Sequence, residues 1–156
     1  MRSRPRPQDM VTRLGTIADV AAIRDLSRAA YAKWVPVIGR EPLPMAADYD
    51  AAIREHRIDL LELDGTLVAL VETITRVDHL WVENISVSPN YAREGLGRLM
   101  IDKAEEIAAE QRFREIRLAT NKAFAGNVEF YLNAGFTIDR EEPFRNGIAV
   151  YFRKSL

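Results

Sequence analysis

Apolar residues recur at helical spacing early in the chain, at Val20, Ile23, Leu26, Ala30, Tyr31 and Trp34. That spacing marks the buried stripe of an amphipathic helix. Thr16, with Asp19 three residues on, predicts a capping box at its start, each residue satisfying a free amide of the first turn. The helix is expected to end before Pro36. Val35 to Ala46 holds Pro36, Gly39, Pro42 and Pro44 and is expected to be irregular. A short helix is predicted over Asp48 to His56. The pattern then changes. Ile58 to Leu63 and Thr66 to Thr75 are strand-like runs joined by Asp64-Gly65, a strong hairpin signal. His79 to Val87 is a third run, ended by Pro89. From Gly95 to Gln111 the helical period returns, with Leu96, Leu99, Met100, Ala104, Ile107 and Ala108 on one face. Glu115 to Thr120 predicts a strand, Asn127 to Ala134 a short helix and Phe136 to Arg140 a strand. Asn146-Gly147 marks a turn before a last strand, Ile148 to Arg153. With a short first strand at Val11 to Leu14, the order is β-α-α-β-β-β-α-β-α-β-β. This predicts an α/β class of fold, a mixed sheet in one layer with helices on its faces.

Composition narrows the function classes. The chain has 156 residues, the size of one domain, with 47% hydrophobic and 29% charged residues. Residues 11–156 are expected to form that domain and 1–10 a disordered tail, in which Arg2, Arg4 and Arg6 alternate with other residues and two prolines. The sequence has no cysteine, which removes disulfides, thiolate metal sites and cysteine nucleophiles. That absence fits a reducing compartment, and a cytoplasmic location is expected. No run approaches the ~18 apolar residues of a membrane span. A formal net charge of −1 disfavours a nucleic-acid-binding domain.

The most informative stretch runs from Ile85 to Leu99. A strand ends, a short loop follows, and Gly95 and Gly97 open a helix. The first amides of a helix have no intrahelical partner, and with the helix dipole they form a seat for phosphate oxygens. Arg93 and Arg98 add positive charge. A plain turn that uses glycine for packing fits this loop equally well. A Walker loop needs Gly-Lys-Ser/Thr, whereas Arg98 and Leu99 follow Gly97. A dinucleotide fingerprint needs a third glycine where Met100 stands.

Ala92-Arg93-Glu94-Gly95-Leu96-Gly97, preceded by Val87-Ser88-Pro89, resembles the pyrophosphate loop Gln/Arg-x-x-Gly-x-Gly/Ala of the GNAT acetyltransferase superfamily. Ala92 departs from it at the first position. A second stretch, Asn127 to Phe136 with Tyr131 and Gly135, resembles that superfamily's Asn-x-x-x-x-Tyr-x-x-x-Gly-Phe pattern. The resemblance spans nearly all of Val11 to Arg153. It implies a GNAT-like fold with a largely antiparallel sheet and acetyl-CoA as cosubstrate. CoA would be held by Ile85, Ser86 and Val87 on the strand, by Arg93, Glu94, Gly95, Leu96, Gly97 and Arg98 in the loop, and by Asn127 and Tyr131.

The reaction implied is transfer of the acetyl group to a primary amine of a small molecule or peptide, by direct attack in a ternary complex. Glu83 is the implied base, acting directly or through water and needing burial to raise its pKa. Its plain alternative is a surface glutamate. Tyr131 is the implied proton donor to the thiolate, its alternative being a core aromatic. A backbone amide near Ile85 to Val87 would meet the oxyanion. On the acceptor side the candidates are Tyr31, Trp34, Met45 and Asn121, with Arg40 and Tyr49 nearby; core packing competes for Tyr31 and Trp34. His56 and His79 lack ligand spacing, and no metal is expected. O-acylation, a longer acyl chain and a non-catalytic acyl-CoA sensor remain open, as does a homodimer. No membrane or nucleic-acid partner is expected.

Overall fold

The computed structural model describes residues 10–156. The segment read as a disordered tail lies outside them, except for Met10, which opens the first strand. A seven-stranded sheet runs in the order β1-β2-β3-β4-β5-β7-β6. Its members are β1 (Met10–Leu14), β2 (Arg57–Leu63), β3 (Thr66–Thr75), β4 (Leu80–Val87), β5 (Glu115–Asn121), β6 (Thr137–Phe144) and β7 (Gly147–Ser155). Every neighbouring pair is antiparallel except β4 and β5. The longer helices are α1 (Val20–Tyr31), α4 (Tyr49–Glu55), α5 (Leu96–Glu110) and α6 (Ala125–Asn133).

Local chemistry accounts for these bounds. The Asp19 carboxylate accepts from the Thr16 amide at 2.8 Å, closing the predicted capping box ahead of α1. Asp64 and Gly65 both adopt positive φ, 49° and 81°, as a tight β2–β3 hairpin requires. α1 ends at Tyr31, before Pro36 as expected, but one expectation fails between α1 and α4. The chain stays helical past Pro36, which sits in the first turn of a short helix α2 (Val35–Ile38), where its missing N–H costs no bond. Gly39 at φ 72° closes α2, and a further turn, α3 (Leu43–Ala46), follows. The supposed irregular loop is thus two short helices. β6 also extends past Arg140 to Phe144, held in register by β7.

The two sheet faces carry separate cores. Val20, Ile23 and Leu26 of α1 pack with Tyr49 and Ala52 of α4 over Ile58, Leu60 and Leu70. On the other face Leu96, Met100, Ile101, Ala104 and Ile107 of α5 pack over Val68, Val71, Leu80, Val82, Ile116 and Leu118. Strand alternation assigns the faces, except that Val68 and Leu70 of β3, two residues apart, fall on opposite sides across the register shift between Leu61 and Glu62. One irregularity matters. Glu72 faces Asn84 and Thr73 faces Val82, so Glu83 is an extra residue bulged out of β4. Before the bulge Leu80 and Val82 face α5, whereas after it Asn84 and Ser86 face α1. The bulge therefore re-aims the end of β4.

Candidate active site

β4 and β5 pair at only two positions, Leu80 with Ile116 and Trp81 with Arg117. Beyond Trp81 the two parallel strands diverge, and among the described residues the edge of β4 from Val82 to Val87 has no strand partner on that side. A cavity of about 460 Å³ occupies the α1 side of this split. Trp81 and Glu83 of β4, Ala119 and Asn121 of β5 and Tyr31 of α1 stand in its wall.

The loop from β4 to α5 follows the end of β4 that lacks a β5 partner. Arg93 and Gly95 both take left-handed conformations, with φ 66° and 80°. A non-glycine residue at positive φ costs roughly 1 kcal/mol or more and is kept where the surroundings enforce it. Gly95 caps α5, and the first intrahelical bond runs from the Leu99 amide to the Gly95 carbonyl at 3.2 Å. The amides of Leu96, Gly97 and Arg98 are left without an intrahelical acceptor. A Cβ on Gly95 would project into open space. The two glycines have different jobs, because a Cβ on Gly97 would lie 3.2 Å from Cζ of Phe130 on α6. Gly97 lets α5 approach α6, whereas Gly95 bends the chain and leaves its outer side free. Arg93 and Arg98 are exposed, and Arg98 lies 3.6 Å from Asp102 on its own helix. One Glu94 carboxylate oxygen is buried without a hydrogen-bond partner among the described residues. An orphaned acceptor of this kind costs about 1–3 kcal/mol.

Asn127 and Tyr131 lie on α6, one turn apart and both at least partly buried. The Tyr131 ring is enclosed by Phe130, Phe136 and Phe152 at centroid distances of 5.2, 5.6 and 5.6 Å. Burial pushes its phenol well above the ordinary tyrosine range. Tyr131 belongs to the α5 side of the sheet and does not line the cavity. Tyr31 joins the two sides. Its hydroxyl donates to the Ile85 carbonyl at 3.2 Å. Its pKa is pushed well up by burial, and then by the nearness of Tyr131, Tyr49, Glu72 and Glu83.

Not every candidate reaches the cavity. Tyr31, Arg40, Tyr49, Glu83 and Asn121 line it, whereas Trp34 and Met45 do not. Trp34 stacks on Phe124 at 4.8 Å, and Met45 is buried in α3, its carbonyl accepting from Arg28 at 2.7 Å. Both support the wall from behind. Glu83 is exposed, so the burial asked of it as a base is not present; the Trp81 indole donates to it at 3.2 Å. Ser86 is fully buried, and its hydroxyl joins Asn84, Ser27 and Tyr49 in a polar network.

Sequence reasoning missed one pair. Glu72 on β3 lies in the cavity wall, and its Oε2 is 2.6 Å from Nδ1 of His56. Burial pushes the Glu72 carboxyl up, against the pull of the His56 hydrogen bond. The signal was a carboxylate at the end of the apolar run Leu67 to Val71. Among the described residues no group of three or more His, Cys, Asp or Glu is arranged to hold a metal ion, and no helix is long and apolar enough to cross a membrane.

This fold is shared with solved acetyltransferases. A PaiA N-acetyltransferase from Thermoplasma acidophilum, in complex with coenzyme A, superposes with a TM-score of 0.79 at 16% identity, over 94% of this chain and 99% of that one. A GNAT family acetyltransferase from Elizabethkingia anophelis with acetyl-CoA bound gives 0.73 at 13% identity, over 95% and 99%. The ribosomal-protein-S18-alanine N-acetyltransferase of Escherichia coli gives 0.73 at 17%, over 94% and 93%. In sequence, the uncharacterized protein YxbD of Bacillus subtilis (strain 168) is 30% identical over 81 residues, about half the length of each chain. The model of the acetyltransferase (GNAT) family matches residues 20–136, well over half of the sequence and inclusive of α1, the split, the loop and α6. The chain belongs to the acetyltransferase (GNAT) family.

Proposed function

We propose that this protein transfers the acetyl group of acetyl-CoA to a primary amine of a small molecule or peptide, by direct attack within a ternary complex. The observation that carries this reading is the placement of the parts along β4. Trp81 and Glu83 of β4 line the cavity, the edge of β4 beyond Trp81 lacks a β5 partner, and the same strand leads through the glycine loop to the free amides at the start of α5. The amides of Leu96 to Arg98 suit the pyrophosphate, with Arg93 and Arg98 adding charge and Gly95 leaving room for approach. The edge of β4 from Ile85 to Val87 suits the extended pantetheine arm, and a β4 amide suits the oxyanion. Asn127 is a hydrogen-bond partner for the same arm.

The acceptor enters from the cavity. Its wall carries the carboxylates of Asp48, Glu55, Glu72 and Glu83 against the single guanidinium of Arg40 and the imidazole of His56. Such a wall attracts an ammonium group. Glu83 receives it and takes its proton, directly or through water. Tyr31 and Asn121 flank the amine. Tyr131 donates a hydrogen bond to the departing sulfur from the other side of the split. The solved relatives that hold coenzyme A or acetyl-CoA, and those named N-acetyltransferases, support this assignment.

A panel of primary amines, amino acids, short peptides and alcohols, each with acetyl-CoA, tests it. Free CoA thiol and acetylated product should form in equal amounts with at least one amine. Thiol release only with alcohols would replace the amine by a hydroxyl acceptor. Tight acetyl-CoA binding with no thiol release across the panel would make the protein a sensor.

A further inference from the structure

The amine's proton needs a destination beyond the exposed carboxylate of Glu83, and one feature of the cavity wall is suited to it. Glu72 lies on the face of β3 turned to α1 and α4, with its side chain 6% exposed. Carboxylates are rarely this buried unless paired. Its partner His56 directly follows α4, where its amide bonds the Ala52 carbonyl at 2.8 Å. The His56 side chain is 24% exposed. Both side chains line the cavity with Glu83. The arrangement is that of an imidazole oriented by a buried carboxylate, with its second nitrogen left without a partner among the described residues and able to exchange a proton.

We propose that the His56–Glu72 pair is the proton acceptor of this acetyltransferase. Glu72 orients the ring through Nδ1, and His56 Nε2 takes up the proton handed on from the substrate ammonium by Glu83 or a water. The inference rests on the amine-acetylation reading. The ammonium loses its first proton to His56 Nε2 and thence to solvent. The neutral amine attacks the thioester carbonyl carbon and forms the C–N bond. Collapse of the tetrahedral intermediate breaks the C–S bond, and the second nitrogen proton reaches the sulfur across the Tyr131 hydroxyl. Acetylamide, CoA thiol and one proton are the products. Imidazole suits this task because its ordinary titration lies between pH 5 and 8.

Charged and titratable groups face the pair from β4, α4, α1 and β2. From β4, Glu83 is close enough for its charge to raise the pKa of Glu72. From α4 and α1, Tyr49 and Tyr31 feel the charge of Glu72, and burial pushes Tyr49 up to about 12, so both stay neutral at working pH. Glu55 precedes His56 and is exposed. On β2 the nearby charges are already matched, with Arg57 2.9 Å from Asp59.

The test is the pH dependence of single-turnover thiol release between pH 5 and 9 at saturating acetyl-CoA, in wild type, H56Q, E72Q and the control H79Q. His79 pairs with Asp78 at 2.7 Å, ahead of β4. Wild-type rates should rise with pH through one histidine-like inflection, and H79Q should match them. H56Q should fall about 100-fold at pH 7 and lose the inflection, as removal of a general base does, while keeping its stabilisation by acetyl-CoA. E72Q should move the inflection to lower pH, because the imidazolium loses a negative neighbour. Nitrogen NMR of the chain's two histidines should show the same downward shift for one ring without any turnover. A folded H56Q with wild-type rates and profile overturns the proposal, as does an unmoved inflection in E72Q, which decides the matter should H56Q not fold. A wild-type enzyme that acetylates no amine removes the underlying reading, and this one with it.

Discussion

Replacement of Tyr131 by phenylalanine separates chemistry from packing. The Tyr131 ring makes its three aromatic contacts through carbon, at 5.2 to 5.6 Å between centroids, and these survive the change. Among the described residues its hydroxyl has no hydrogen-bond partner, so its loss orphans nothing. The expected stability change is within about 0.5 kcal/mol. That corresponds to a melting shift of roughly 1–2 °C for a domain of this length. Catalysis should respond very differently. General acid assistance typically contributes 10²–10⁴-fold, equivalent to about 2.7–5.5 kcal/mol of barrier. Because burial pushes the phenol well above its ordinary range, the group stays protonated throughout pH 5–9. The ratio of wild-type to mutant rate should then be independent of pH over that window. The same property makes complete transfer to a thiolate uphill, which favours hydrogen-bond donation concerted with C–S cleavage. Single-turnover rates and melting curves on the same preparation give both numbers, and acetyl-CoA affinity should change little. A stable mutant with wild-type single-turnover rates would remove Tyr131 from the mechanism.

The two loop glycines should respond oppositely to alanine. Gly95→Ala places a side chain at φ 80° and on the open side of the loop. It should cost about 1–2 kcal/mol of stability and weaken acetyl-CoA binding measured by calorimetry. Gly97→Ala meets Phe130 at 3.2 Å instead. It should shift that ring by a few tenths of an ångström and leave affinity within a few-fold; the reverse ranking would show that Gly97, not Gly95, borders the ligand. Asp19→Ala should destabilise the fold by about 1 kcal/mol through loss of the cap. The Arg13 hydrogen bond holds the Asp19 carboxyl below the usual carboxylate range, so this contribution is fully present above pH 4 and is lost as pH falls further. Urea unfolding at pH 7 and at pH 3 should show the mutational penalty shrinking at the lower pH.

Much of the fold was legible because local chemistry and periodicity agree. The capping box at Thr16, the hairpin at Asp64-Gly65 and the apolar stripe of α5 each match their structural element, except that Leu99 of the stripe is exposed and Ile101 is buried in its stead. The stretch after α1 misled because proline was read as a stop, whereas the first turn of α2 tolerates it. Trp34 and Met45 illustrate a second limit. Being near the acceptor side in sequence did not fix their direction, and both turn into the packing behind the wall. The bulge at Glu83 was invisible because an extra residue in one strand depends on its partner's register. The His56–Glu72 pair joins residues sixteen apart on two elements, a contact that only the tertiary fold creates.

The seat for acetyl-CoA is the claim on which the rest depends, and thermal melting with and without the ligand tests it most directly. Acetyl-CoA at about 100 times its dissociation constant should add ~2.7 kcal/mol to the folded state. For a domain of this length that raises the melting temperature by roughly 5–10 °C. The rise should grow with ligand concentration and shrink in Gly95→Ala. An unchanged melting temperature at millimolar acetyl-CoA would contradict the assignment of the β4–β5 split and the start of α5 as its binding site.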